Sequence, residues 1–169
     1  MNTTPIPEAH LVHQGEPCWY GDSLFEFLVP SEVTGGQLSV FRATAPRGFG
    51  PPRHIHTRED EVFLVESGEV TFEISGRRHA AGPGTAVYMP RGVPHTFRID
   101  SPVARMLGII APGDFEQLFR TLGVPARERA LPRPGSVPLD VAAIMAEQVA
   151  LGTEVVGPPL GPDPDRDPA

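Results

Sequence analysis

The chain has 169 residues, a length that suits one compact domain with a continuous core. Its net charge is −7, and its fourteen cationic residues are all arginines scattered along the chain, so no basic surface for nucleic acid is predicted. A single cysteine, Cys18, excludes an internal disulfide, and no run approaches the roughly 20 apolar residues of a membrane-spanning helix.

The first ten residues contain no basic patch followed by an apolar run, which a secretory leader would have, so we expect a cytoplasmic protein. Cys18 has no histidine or basic cluster beside it in the sequence that would lower the pKa of its thiol. We therefore interpret Cys18 as a small, buried apolar residue.

Short runs that alternate apolar with polar residues, or are rich in β-branched and aromatic residues, fill the chain between Trp19 and Ile110. This pattern predicts strands separated by turns. The predicted strands are Ser23–Val29, Gln37–Ala43, His54–Thr57, Glu61–Ser67, Glu69–Ser75, His79–Ala81, Thr85–Met89, His95–Ile99 and Ala104–Ile110. Ser67-Gly68 and Ser75-Gly76 are predicted hairpin turns, because glycine tolerates a positive φ. Evenly spaced strands of this kind indicate an all-β antiparallel sandwich or barrel.

Two helices are predicted after the strands. Apolar residues at i, i+3, i+4 and i+7 indicate a short amphipathic helix; these residues are Phe115, Leu118, Phe119 and Leu122. Asp114 is its predicted cap and Gly123 its predicted end. We expect this helix to pack on the outside of the barrel or on a second subunit. A Pro-rich connector leads to a second helix, Val141–Leu151, with Asp140 as its cap and Gly152 as its stop.

The last stretch, GPPLGPDPDRDPA, alternates proline with aspartate and predicts a disordered or loosely attached tail. We therefore expect residues 1–125 to form the barrel with its following helix. Residues 126–169 would form the connector, the second helix and the tail.

The stretch from Gly48 to Gly68 holds the first candidate site residues. Because strand side chains alternate between faces, His54 and His56 point the same way and can chelate one metal ion. If Glu61 begins the next strand, it shares a face with Phe63 and Val65 and can point toward the histidines. Glu59 lies on the same alternate face, so it stays open as the carboxylate ligand.

A second stretch, GTAVYMPRGVPHTFRI, places His95 on a strand face with Phe97 and Ile99. Three imidazoles and a carboxylate are costly to bury unpaired, and a divalent ion compensates for the lost water. Nitrogen and oxygen donors together favour Fe, Mn, Ni, Co, Cu or Zn over Ca or Mg. The apolar neighbours predict a pocket for a small apolar or aromatic substrate; they are Phe63, Val65, Phe97 and Ile99.

The spacing of glycine, His-x-His, glutamate and glycine in the first stretch, and of glycine, Pro-x-Gly and histidine in the second, resembles the two motifs of the cupin superfamily. The resemblance implies a single jelly-roll barrel, and its motif spacing prefers Glu61 to Glu59 as the ligand. One position departs from the motif, since Ile99 stands where many cupins carry asparagine. The alternative is a metal-free cupin with hydrogen-bonded core histidines, as in some sugar epimerases of this fold.

Within the cupins, the layout is similar to that of the single-domain, quercetinase-like bacterial proteins. That resemblance implies a flavonol 2,3-dioxygenase with four metal ligands, among which Glu61 is also the catalytic base; the ligands are His54, His56, Glu61 and His95. Its partners would be an enolic aromatic substrate and dioxygen. Two alternatives remain, namely a non-oxidative metal-dependent cyclase or isomerase of secondary metabolism and a non-catalytic small-molecule-binding cupin.

A homodimer is also predicted. The outward side chains of the strand that carries Glu61, such as Val62 and Leu64, and the helix that begins at Asp114 would supply its apolar surface.

Overall fold

The computed structural model describes residues 9–162. These residues form strands β1 (Glu16–Tyr20), β2 (Ser23–Val29), β3 (Ser39–Pro46), β4 (Pro52–His56), β5 (Asp60–Ser67), β6 (Val70–Ile74), β7 (Arg77–Ala81), β8 (Ala86–Met89), β9 (His95–Ile99), β10 (Val103–Ala111), β11 (Val124–Pro125) and β12 (Thr153–Pro159). The helices are α1 (Gln117–Leu122) and α2 (Val141–Ala150), with 3₁₀ turns at Ser31–Thr34 and Gly113–Glu116.

The strands form two antiparallel sheets. One has the order β11-β1-β2-β3-β10-β5-β8, and the other has the order β12-β4-β9-β6-β7. Strands that follow one another in the sequence often belong to different sheets, as β5 and β6 do. This is the topology of a jelly-roll barrel. The predicted all-β jelly-roll with two C-terminal helices is confirmed.

Alternation along the strands sends one set of side chains into the barrel. On β5, Glu61, Phe63 and Val65 are buried, whereas Leu64 between them is 36% exposed. Aromatic rings fill much of the interior, and the rings of Phe25 and Phe119 are stacked with their centroids 4.2 Å apart. The barrel therefore has a continuous aromatic core, against which α1 is packed.

The two predicted hairpin turns have different outcomes. Ser75-Gly76 joins the paired strands β6 and β7, and both residues have positive φ, 50° and 75°, so this hairpin is confirmed. The prediction for Ser67-Gly68 is wrong, because β5 pairs with β8 and β10 and never with β6. Gly68 instead turns the chain from one sheet into the other, where a Cβ would lie 2.6 Å from the Val103 carbonyl oxygen.

The first predicted helix is partly correct. It begins with the 3₁₀ turn Gly113–Glu116, and α1 itself has only six residues. Asp114 is not its cap, since Oδ1 of Asp114 accepts a hydrogen bond from the Ser31 hydroxyl at 3.2 Å. Gly123 does end α1.

The second predicted helix is confirmed as α2. Its cap is Asp140, whose Oδ1 accepts a hydrogen bond from the backbone N–H of Ala143 at 3.0 Å. Among residues 9–162 no helix has the length and apolar character needed to cross a membrane.

The tail prediction is wrong for its first residues, 157–159, which are part of a strand. Residues up to Pro159 continue β12, which pairs antiparallel with β4 and brings Thr153 opposite His56 and Val155 opposite His54. Leu160 is buried beyond the strand. The edge of β4 offers unpaired backbone groups, and pairing with them outweighs the low apolar content of the segment. The rest of the predicted tail, 163–169, lies outside the described residues.

A candidate metal centre beside an aromatic cavity

The four predicted metal ligands meet inside the barrel. His54 and His56 come from β4, Glu61 from β5 and His95 from β9, and their nearest ligand atoms all lie within 4.8 Å of one another. Each side chain is at least nine-tenths buried. His54 stands directly opposite His95 in the pairing of β4 with β9, so backbone register sets their separation.

Backbone carbonyls orient two of the three histidines. Nδ1 of His54 donates a hydrogen bond to the Pro52 carbonyl oxygen, and Nδ1 of His95 donates one to the Val93 carbonyl oxygen, both at 2.8 Å. A carbonyl only accepts, so Nδ1 carries the proton in each ring, and Nε2 presents its lone pair to the cluster. Nε2 of His54 lies 3.1 Å from Nε2 of His56, and Nε2 of His95 lies 3.1 Å from Oε2 of Glu61.

The third histidine is oriented by side chains. Nδ1 of His56 lies 3.3 Å from Oε2 of Glu59, without hydrogen-bond geometry, and 3.4 Å from the Thr153 hydroxyl. Strand alternation alone left Glu59 open as a ligand. In the structure its carboxylate lies behind His56 rather than in the cluster. This arrangement fixes the ring and leaves Nε2 for a metal ion. Thr153 was not predicted as a site residue, because residues 153–156 lie between the predicted helix and the predicted tail and were assigned to no strand.

The charges of the cluster suit a bound cation. Burial alone would raise the pKa of Glu61, but the surrounding histidines, His56 above all, outweigh it and lower that pKa to about 2. Burial and the neighbouring imidazoles lower the pKa of His54 to about 4. For His56, burial opposes the charged form, but the Glu61 and Glu59 carboxylates outweigh it and raise the pKa. An ionised Glu61 beside a neutral His54 is the protonation state in which both can coordinate a metal.

The donor set fits a transition metal. Three imidazole nitrogens with outer hydrogen-bond or ion-pair partners, together with one carboxylate, can hold a divalent ion of the first transition row. Four such protein donors would leave positions on a five- or six-coordinate ion for other small molecules.

A cavity of about 250 Å³ adjoins the cluster. His54, Glu61 and His95 contribute to its wall, and the other polar side chains there are Tyr20 and Gln148. The remaining wall is apolar and rich in phenylalanine; these rings belong to Phe25, Phe41, Phe49, Phe63, Phe97, Phe115 and Phe119. The cavity therefore suits a planar, largely apolar molecule.

The four predicted pocket residues divide into two pairs. Phe63 and Phe97 line the cavity. Val65 and Ile99 do not, because each is 0% exposed and packed in the hydrophobic core. Val65 and Ile99 share the inward face of their strands with Phe63 and Phe97. Each lies two residues beyond the lining phenylalanine of its strand, where core side chains fill the interior. The departure from the motif at Ile99 thus lies in the core rather than at the cavity wall.

Both helices contribute to the wall of the cavity, a role that the sequence pattern did not predict. Phe115 lines the cavity instead of packing outside the barrel, and its ring lies edge-on to His56 at 4.3 Å between centroids. Four residues of α2 complete the wall at i, i+3, i+4 and i+7; they are Val141, Ile144, Met145 and Gln148. The helical spacing was a possible signal, but the polar residue at its last position breaks the apolar pattern.

Comparison with known proteins agrees with this architecture. A family model described as a cupin domain matches residues 41–110, the segment that holds all four clustered ligands. The chain contains a cupin domain. It is 31% identical over 119 residues to quercetin 2,3-dioxygenase of Bacillus subtilis (strain 168), a match that covers 70% of this chain and 35% of that protein. The predicted resemblance to quercetinase-like cupins is confirmed.

Two further relatives extend the comparison. Quercetin 2,3-dioxygenase of Aspergillus japonicus is 32% identical over 114 residues, which are 62% of this chain and 32% of that protein. The chain thus spans about a third of the length of these curated relatives. A cupin fold is also shared with a solved structure from Thermotoga maritima, described as a predicted oxalate decarboxylase, at TM-score 0.54 and 18% identity over 57% of this chain and 92% of that one.

Proposed function

We propose that this cupin is a metal-dependent dioxygenase that cleaves or oxidises a flavonol-like or other enolic aromatic substrate. The observation that carries the proposal is the position of the Glu61 carboxylate, which belongs both to the ligand cluster and to the wall of an aromatic cavity. Similarity to two quercetin 2,3-dioxygenases supports the substrate class.

The proposed ligands of one divalent ion are His54, His56, Glu61 and His95. The candidates are Fe, Mn, Ni, Co, Cu and Zn. When bound, such an ion supplies Lewis acidity to a coordinated oxygen and, if it is redox-active, electrons for chemistry with dioxygen.

A side chain of the protein would accept the proton of the substrate. A carboxylate oxygen of Glu61 would accept the proton of the enolic hydroxyl, since Glu61 is ionised and faces the cavity. Oε2 of Glu61 lies 3.1 Å from Nε2 of His95, so the carboxylate stands at the ligand cluster and at the cavity wall together. The phenylalanine rings would bind the planar body of the substrate and exclude water from the site.

The test is oxygen consumption by defined metal forms. Purified protein is analysed for its metal content, reloaded with each candidate ion, and mixed with quercetin in an oxygen electrode. We expect quercetin-dependent oxygen uptake with at least one redox-capable ion and a loss of about 100-fold or more in Glu61→Gln. Failure of every redox-capable form to take up oxygen would refute the proposal.

The alternative functions have distinct results in the same assay. Conversion of substrate without oxygen by the zinc form would indicate the non-oxidative cyclase or isomerase. Ligand affinity without any product by mass spectrometry would indicate a binding module.

A further inference from the structure

One polar group in the cavity wall has no role in the chemistry proposed above. Gln148, on α2, is 3% exposed, and its side chain lines the cavity. Within residues 9–162, its Oε1 has no hydrogen-bond partner. Helix α2 carries none of the clustered metal ligands, so this amide belongs to a different wall of the cavity from theirs.

A buried amide oxygen without a hydrogen-bond partner destabilises the folded protein. Most buried polar groups in proteins do have partners, so each exception calls for a specific explanation. Apolar residues at this position would complete the face formed by Val141, Ile144 and Met145, and would avoid the penalty. A ligand that brings a hydrogen-bonding group to Gln148 would remove this destabilisation in the bound state.

We propose that Gln148 is a specificity-determining residue that hydrogen-bonds a polar substituent of the ligand other than the hydroxyl held at Glu61. Apart from the metal cluster, the described residues of the cavity wall include no charged side chain, so the ligand is a largely aromatic, uncharged molecule with a second hydroxyl. The identity of this ligand class rests on the proposed function. Oε1 of Gln148 only accepts a hydrogen bond, so the substituent that pairs with it is a donor, such as a hydroxyl.

The tyrosine in the wall supports this assignment. Tyr20 is 7% exposed and lines the same cavity, and burial raises its pKa to about 12. Its hydroxyl therefore stays protonated and is a neutral donor at physiological pH. The wall thus offers two neutral polar side chains, Tyr20 and Gln148, within an otherwise apolar surface, as expected of a site that orients a polar aromatic molecule.

The experiment compares two ligands in three proteins. Zinc-loaded wild type, Gln148→Met and the matched control Glu147→Met are titrated calorimetrically under nitrogen. Glu147 is the adjacent residue of α2 and does not line the cavity. The probes are quercetin and 3-hydroxyflavone, which keeps the enolic hydroxyl and lacks the other hydroxyls of quercetin.

We expect the wild type to bind quercetin about tenfold more tightly than 3-hydroxyflavone. Gln148→Met reduces this ratio to about one, whereas Glu147→Met preserves it. The ligand-free melting temperature of Gln148→Met rises by about 3 °C, because the unpaired amide is gone. A purely structural glutamine would instead lower the melting temperature on substitution and weaken both probes equally.

Several results would overturn the inference. These are an unchanged ratio in Gln148→Met, no preference in the wild type, and no binding of either probe. Gln148→Leu repeats the comparison in case the methionine variant folds poorly. The dioxygenase proposal is judged separately, because a ratio that falls without any oxygen uptake would refute that proposal and leave the role of Gln148 intact.

Discussion

The contact between Glu59 and His56 leads to a quantitative prediction about metal affinity. Glu59→Gln keeps the shape of the side chain and removes the charge that lies 3.3 Å from Nδ1 of His56. Loss of an outer partner of a metal-binding histidine reduces affinity about 10- to 100-fold, which is about 1.4–2.7 kcal/mol. The Thr153 hydroxyl remains at 3.4 Å, and glutamine retains one acceptor oxygen. We therefore expect the lower end, about tenfold.

Competition with a chromophoric zinc chelator measures this change. The matched control is Glu66→Gln, which removes a carboxylate that pairs with Arg42 on the outer face of β5 and should leave zinc affinity unchanged. The metal-free melting temperature of Glu59→Gln should stay within about 2 °C of wild type, since Oε2 of Glu59 forms no hydrogen bond with any residue from 9 to 162. A loss below twofold, or an equal loss in Glu66→Gln, would refute the outer-partner role.

Three further predictions concern the metal, the barrel and the assembly. Chelation should lower the melting temperature by roughly 5–10 °C if the ion was present at about 100 times its Kd, and zinc should restore it in calorimetry. Gly50→Ala should cost at least about 2 kcal/mol in urea unfolding, because its Cβ would overlap the Phe97 carbonyl oxygen, whereas Gly82→Ala has open space and should be neutral; equal effects would contradict this. Leu64→Glu should convert the predicted dimer to a monomer in light scattering, and a wild-type monomer would contradict that prediction.

Local pattern was enough to predict the ligand cluster. Alternation along β4 and β5 places His54, His56 and Glu61 on inward faces, and the structure keeps that register. The choice between Glu59 and Glu61 needed more than alternation, because both side chains are buried. In the structure, Glu59 lies in the turn between β4 and β5, behind His56, whereas Glu61 lies on β5 and enters the cluster.

Local sequence patterns did not predict which distant elements pack against one another. The strand from Thr153 to Pro159 contains glycine and two prolines, a composition that disfavours strands, and it forms because β4 provides a partner. Likewise, the spacing of Phe115 and Phe119 predicts a helix but not the surface that the helix covers. The difference between Phe63 and Val65 depends on where the interior is filled, which periodicity along one strand does not encode.

The pairing of β12 with β4 also determines when the site can mature. The strand with two of the four ligands has a single bridging pair with β9, His54 with His95, so most of its sheet contacts come from β12. Thr153, beside His56, follows it by 97 residues. At translation rates of about 5–20 residues per second, roughly 5–20 s separate the synthesis of these two parts. During that interval the nascent histidines lack their final support, so the proposed metal site can be completed only after β12 has been synthesised.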